Sequence, residues 1–215
     1  MVGILMGLDS RRRSVRLNDR QWAGLLLFVG IGQFAVIGLT ISEAVYSEAS
    51  PTGYSISQNY ISDLGVGPAA LIFDPSIILV GVLVLATAWF LWRAVGDRIL
   101  SIVVALGGAG AIAVGVFTEA FGVVHEIVSL WTFIFIGLSA IFAARIVRPP
   151  FRYLSLVLGV LSLVALGLFI ANADLGLGPG GMERMIVWPI LVWGTAFGGY
   201  LFGSSSPAPA AAASP

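Results

Sequence analysis

"ILSIVVALGGAGAIAVGVFT", residues 99–118, runs for 20 residues without a charged side chain. A helix rises about 1.5 Å per residue, so a stretch this long crosses the roughly 30 Å hydrocarbon layer of a bilayer. Five more apolar blocks of similar length flank it, near 22–45, 75–93, 124–145, 152–172 and 183–203. In hydrocarbon each backbone donor and acceptor needs a partner within its own segment, which selects helices over open strands. Composition agrees. The chain has 215 residues, 58% of them hydrophobic and 10% charged, with mean hydropathy +1.00, where a soluble domain carries about 25% charged residues. The expected fold is all-α: a polytopic membrane protein, a six-transmembrane-helix bundle with an extracytoplasmic cap loop. Short connections make consecutive helices antiparallel neighbours.

The arginines orient this bundle. All 11 basic residues are Arg, and ten of them fall in three regions. These are the segment with Arg11, Arg12, Arg13, Arg16 and Arg20, the second connection (Arg93, Arg98) and the fourth (Arg145, Arg148, Arg152). The positive-inside rule then predicts a multi-pass protein of the cell membrane with both termini cytoplasmic. Residues 1–20 form a basic cytoplasmic segment, 21–203 the membrane domain, and 204–215, "SSSPAPAAAASP", an uncharged low-complexity tail expected to be disordered. The basic run follows a short apolar stretch, the reverse of signal-peptide order, so the first span is expected to stay as an anchor. Eight of the 11 acids (Glu43, Glu48, Asp63, Asp74, Glu119, Glu126, Asp174, Glu183) and the lone His125 fall at the opposite, external end, with Arg184 as its single base. Tolerance of acids outside the membrane explains that excess equally well, because the rule counts Arg and Lys rather than net charge.

Within the spans, Gly107, Ala111 and Gly115 form one small-residue stripe and Ala105, Ala109 and Ala113 a second, so neighbours are expected to approach the third helix from both sides. In the sixth, Gly194 and Gly198, then Gly199 and Gly203, repeat the spacing. Pro189 should kink that helix unless a neighbour satisfies the freed carbonyl. Gln33, mid-membrane, is expected to hydrogen-bond another helix.

The external end carries the polar chemistry. Residues 46–74 make a long connection whose "YSISQNYISDLG" (54–65) interleaves apolar and polar side chains, as a folded cap with a short helix near 56–62 would. Ser62, Asp63 and Gly65 suit an Asx-type turn. In "DPS", Asp74 reads as an N-cap and Pro75 as the first residue of the second helix. "TEAFGVVHE" (118–126) is a tight hairpin that brings Glu119, His125 and Glu126 together. Glu126 also suits the first turn of a helix through the dipole. Glu183 reads as a helix start. Arg184 has two readings, a structural ion pair with Glu119, Asp63 or Glu126, or a fork for a carboxylate or phosphate. Glu43, near the exit of the first helix, reads as a snorkelling acid. Cysteine is absent, which excludes disulfides, thiolate metal sites and Cys nucleophiles. One His is too few for a typical zinc site or bis-His haem, so neither metal nor cofactor is expected.

"NYISDLG" (59–65) after the first helix, a lone His opening the fourth and "GPGGMERM" (178–185) opening the sixth together resemble the domain-of-unknown-function 998 family of six-helix bacterial and archaeal membrane proteins. The resemblance covers nearly the whole chain apart from the tails. It implies a fold and a membrane location, with no settled reaction. "YISDLG" alone also resembles the first loop of the Frag/DRAM/Sfk group, some of which are linked to lipid or membrane remodelling. Ceramidase-like membrane hydrolases use several His residues and do not fit.

The leading expectation for function is a binding protein whose outward polar pocket, roofed by 54–65, takes a lipid headgroup or small polar solute. Arg184 would grip an anion, with Glu183, Asn59, Tyr60, Ser62 and Glu126 in the ligand-binding set. A rival is a lipid hydrolase or transferase with His125 as base, oriented by Asp63 or Glu119. A third is a structural partner subunit, for which an exposed small-residue stripe on the sixth helix would be the sign. Expected partners are membrane lipid and a polar or anionic small ligand, not nucleic acid; the oligomeric state stays open.

Overall fold

The computed structural model describes residues 16–204. The expectations for residues 1–15 and for the tail from 205 onward lie outside the described residues. Among those described, six helices are long and apolar enough to cross a membrane: α1 Asp19–Ala49, α2 Ala70–Val95, α3 Arg98–Val116, α4 Val123–Ala143, α5 Phe151–Ile170 and α6 Gly178–Gly203. Each packs on its neighbours in sequence, and α6 closes on α1, giving an up-and-down ring. Val36, Leu79, Ile102, Val157 and Val192 point outward, as a lipid-facing surface requires.

Local chemistry sets the ends. Asn18 and Gln21 form a capping box at the start of α1, with bonds of 2.9 and 3.1 Å. Gly96, at φ +73°, ends α2, and Asp97 caps α3 by accepting from the Leu100 amide at 3.0 Å. Arg93 pairs with Asp19 and Arg145 with Asp97 at this same end of the ring. The basic connections thus gather at one end, and residues 50–69, 117–122 and 171–177 at the other.

Several boundaries differ from the sequence reading. α2 begins at Ala70, so Asp74 and Pro75 lie inside it and Asp74 is not an N-cap. α6 begins at Gly178, which moves Glu183 off the helix start into a buried second turn. α3 stops at Val116; a 3-10 turn, Glu119–Phe121, and then Gly122 separate it from α4. The cap holds no helix at 56–62. Its regular piece is a 3-10 turn, Ser62–Gly65. Inside α1, Phe34–Ile41 winds as a π-helix, a form the apolar sequence did not signal.

The small residues of α3 also sort differently. Gly107 and Gly110 face α4, Gly108 and Gly115 face α2, and Ala109 is exposed. α3 is approached from both sides, but not along the expected stripes. Gly24 and Gly198 bring α1 and α6 into backbone contact: a Cβ on Gly24 would sit 2.6 Å from the Gly198 carbonyl oxygen. Gly199 and Gly203 face open space. Gln33 donates to the Ser76 carbonyl of α2 at 2.9 Å. α6 continues through Pro189, and the Ser162 hydroxyl donates to the Ile186 carbonyl at 2.8 Å, supplying a partner near the interrupted ladder.

Candidate functional site

The cap is held down by Arg184. Its guanidinium is buried, and Nη1 donates to the carbonyls of Ile56, Asn59 and Gly180 at 3.0–3.1 Å. Nη2 donates to Glu43 at 2.7 Å and to the Tyr54 hydroxyl. The ion-pair partner is therefore Glu43, from α1, and not Glu119, Asp63 or Glu126. Burial raises the Tyr54 hydroxyl above its ordinary value, while Arg184 opposes the shift. With both terminal nitrogens engaged, the guanidinium fork is spent on protein acceptors. That geometry places Arg184 as a clamp on residues 54–60 rather than as an open anion fork.

Asn59 and Asp63 stabilise the cap from within. Asp63 accepts from the Asn59 side chain at 2.7 Å and from the Tyr60 amide at 3.1 Å, bracing the chain behind it instead of forming a forward Asx turn. The Asn59 oxygen accepts from the Ser55 amide at 3.0 Å. Glu183 accepts from the Ile61 amide, a buried bond that ties α6 to the cap. Gly180 lies against the Asn59 carbonyl so closely that a Cβ there would overlap it.

His125, in the first turn of α4, is buried, with Nδ1 2.8 Å from the Phe117 carbonyl and Nε2 3.2 Å from the Ser129 hydroxyl. A carbonyl can only accept, so Nδ1 carries the proton; in the neutral ring Nε2 accepts from Ser129. Neither ring nitrogen is hydrogen-bonded directly to Asp63 or Glu119. Glu119 lies beside Asp63 and Ser62. Burial, reinforced by the Asp63 carboxyl, raises its pKa to about 7. Its Oε2 is buried without a hydrogen-bond partner.

Six of the nine expected site residues share one cavity of about 540 Å³ between α4, α5 and the cap. Tyr60, Ser62, Glu119, His125, Glu126 and Glu183 supply most of its polar wall; Leu130, Phe133, Leu166, Phe169 and Ile170 supply the apolar one. Asn59, Asp63 and Arg184 do not line it. Ser62, His125, Ser129 and Glu183 also border a smaller apolar cavity of about 100 Å³ deeper in the ring. These four side chains form a polar partition between the two spaces.

Residues 34–200 match the family model described as "Protein of unknown function (DUF998)". The chain belongs to the DUF998 family. Comparison with curated proteins and with solved structures finds no match. Nothing in these comparisons links the chain to the Frag/DRAM/Sfk group. The matched region of this DUF998 protein takes in the cap, the clamp and all the residues of the large cavity.

The sequence reading placed Glu43 and Tyr54 at this end but missed them as partners of Arg184, and it missed Ser129 altogether. The helix register explains the choice of Glu43. Gly24 opposite Gly198 and Ile31 opposite Gly194 fix an antiparallel α1–α6 pair that carries residue 43 to the level of 184. Ser129 follows His125 by four residues and so lies on the same helix face.

Proposed function

We propose that this DUF998 protein binds a membrane amphiphile in the 540 Å³ cavity, headgroup toward the cap and tail along α4 and α5. The observation that carries the reading is the pairing of walls. Glu119, Glu126, Glu183, His125, Ser62 and Tyr60 face one side of the space, and five large apolar side chains face the other. Three carboxyl side chains without an Arg favour a headgroup that donates hydrogen bonds or carries positive charge. That replaces the anion expected of a free Arg184. Both ring nitrogens of His125 are engaged, Nδ1 by the Phe117 carbonyl and Nε2 by the Ser129 hydroxyl, leaving the Ser129 oxygen and the carboxyls as acceptors for the ligand. The arginine asymmetry supports an orientation with the cap outward, so the ligand would enter from the outer leaflet.

The test is mass spectrometry of lipids retained by the purified protein. His125→Ala alters the polar wall, and Leu130→Trp, at a 40% exposed position, fills the apolar one. Each is expected to lower a retained amphiphile with an amine or hydroxyl headgroup several-fold relative to wild type. An identical lipid profile in all three folded proteins would refute the reading.

A further inference from the structure

At the end of the ring opposite the cap, α2 and α3 border a groove of about 390 Å³. Leu85, Ala88, Trp89, Ile102 and Ala105 line its length, with Trp92, Ser101 and Arg98 toward the connection. Trp89 and Trp92 meet edge to face, with centroids 5.7 Å apart, and both are exposed. Exposed indole pairs at a helix end sit at the membrane–water interface, where one side of the ring is apolar and the other wet.

The charges here are unevenly satisfied. Arg93 is held by Asp19 and Arg145 by Asp97, whose carboxylate also caps the Leu100 amide. The Arg98 side chain is exposed and has no hydrogen bond or ion pair among the described residues. It is also the one charged side chain lining the groove. Arg16, Arg20, Arg148 and Arg152 add to the positive field at this end, against the acids Asp19 and Asp97.

We infer that this groove holds an anionic phospholipid, its phosphate on Arg98 beneath the two indoles and one acyl chain along Ile102, Ala105 and Leu85. Charge complementarity selects the occupant. An apolar slot accepts any acyl chain, but an unpaired guanidinium at its mouth favours a lipid with net negative charge over a zwitterionic one. The inference is independent of the cavity under the cap, which lies at the other end of the ring.

The full chain in nanodiscs provides the test, with Trp fluorescence quenched by brominated phosphatidylglycerol or brominated phosphatidylcholine at equal mole fraction. A Trp89→Phe/Trp92→Phe protein supplies the background from the remaining tryptophans. The anionic lipid is expected to occupy the groove with about fivefold preference, the effect of roughly one surface Arg. Arg98→Gln should bring the two lipids level, and Ala105→Phe should weaken quenching by both. Equal quenching by the two lipids in the wild type, or an undiminished preference in Arg98→Gln, would overturn the inference.

Discussion

Replacing Arg184 by Leu tests whether the guanidinium is a clamp. In the native protein it satisfies the carbonyls of Ile56, Asn59 and Gly180, the Tyr54 hydroxyl and the Glu43 carboxylate. Leucine leaves all of them without that donor, and Glu43, with a side chain 22% exposed, keeps a charge it cannot fully hydrate. Removing one partner of a buried ion pair costs about 3–5 kcal/mol. At about 2–4 °C per kcal/mol for a chain of this size, melting should fall by on the order of 10 °C. Glu43→Gln keeps an acceptor and loses only charge, so it should cost about 1–3 kcal/mol. The double variant should cost less than the sum of the two, because leucine and glutamine no longer strand a carboxylate. The assay is thermal unfolding of the detergent-solubilised protein followed by intrinsic fluorescence, with limited proteolysis of residues 50–61 as the local readout. If Arg184→Leu melts within about 2 °C of wild type and its cap resists protease, the clamp is wrong.

Glu119 makes stability depend on pH. Its folded pKa of about 7 lies above the ordinary 4.5, so the folded state binds its proton more tightly than the unfolded chain does. Stability should therefore fall as pH rises from about 4.5 to about 7 and level off on either side. With the carboxyl only partly buried, solvent screening limits the loss to the order of 1 kcal/mol. Glu119→Gln should reduce that slope in urea or thermal melts at pH 5 and 7.5; an unchanged slope would remove Glu119 from the account. Gly180→Ala should push the Asn59 carbonyl out of the clamp and raise protease sensitivity in the cap, whereas Gly199→Ala, facing open space, should leave melting unchanged. Equal effects from the two alanines would argue against tight docking of α6 on the cap.

The ring was legible because hydrocarbon imposes a strong rule: long uncharged runs must be helices, and short connections between them make neighbours antiparallel. The boundaries were harder where punctuation misled. Asp74 and Pro75 read as a start, yet α2 gains a turn before them, in which Phe73 is buried against Gly65 of the cap while Leu71 stays exposed. The π segment at Phe34–Ile41 left no mark in composition, because any apolar sequence can wind either way and the choice is made by packing. At the cap, residue types announced polar chemistry and brought six of nine named residues to one cavity. Partners were less visible. Arg184 could be matched to several acids by charge alone, and only the α1–α6 register selects Glu43.

That choice of partner shapes the reading of the cavity. Were Arg184 paired with Glu119, the cavity wall would hold a cation and an anion, and a phosphate headgroup would fit. Pairing with Glu43 withdraws the guanidinium to the far side of residues 54–60 and leaves Glu119, Glu126 and Glu183 facing the space. The same segment thus serves two ends: the Ile56 and Asn59 carbonyls hold Arg184, while Tyr60 and Ser62 face the cavity. A lesion in the clamp would disturb the cavity through the shared backbone, so lipid lost from Arg184→Leu does not show that arginine touches lipid. Leu130→Trp separates the two, because it fills the cavity from α4 and leaves every bond to Arg184 in place.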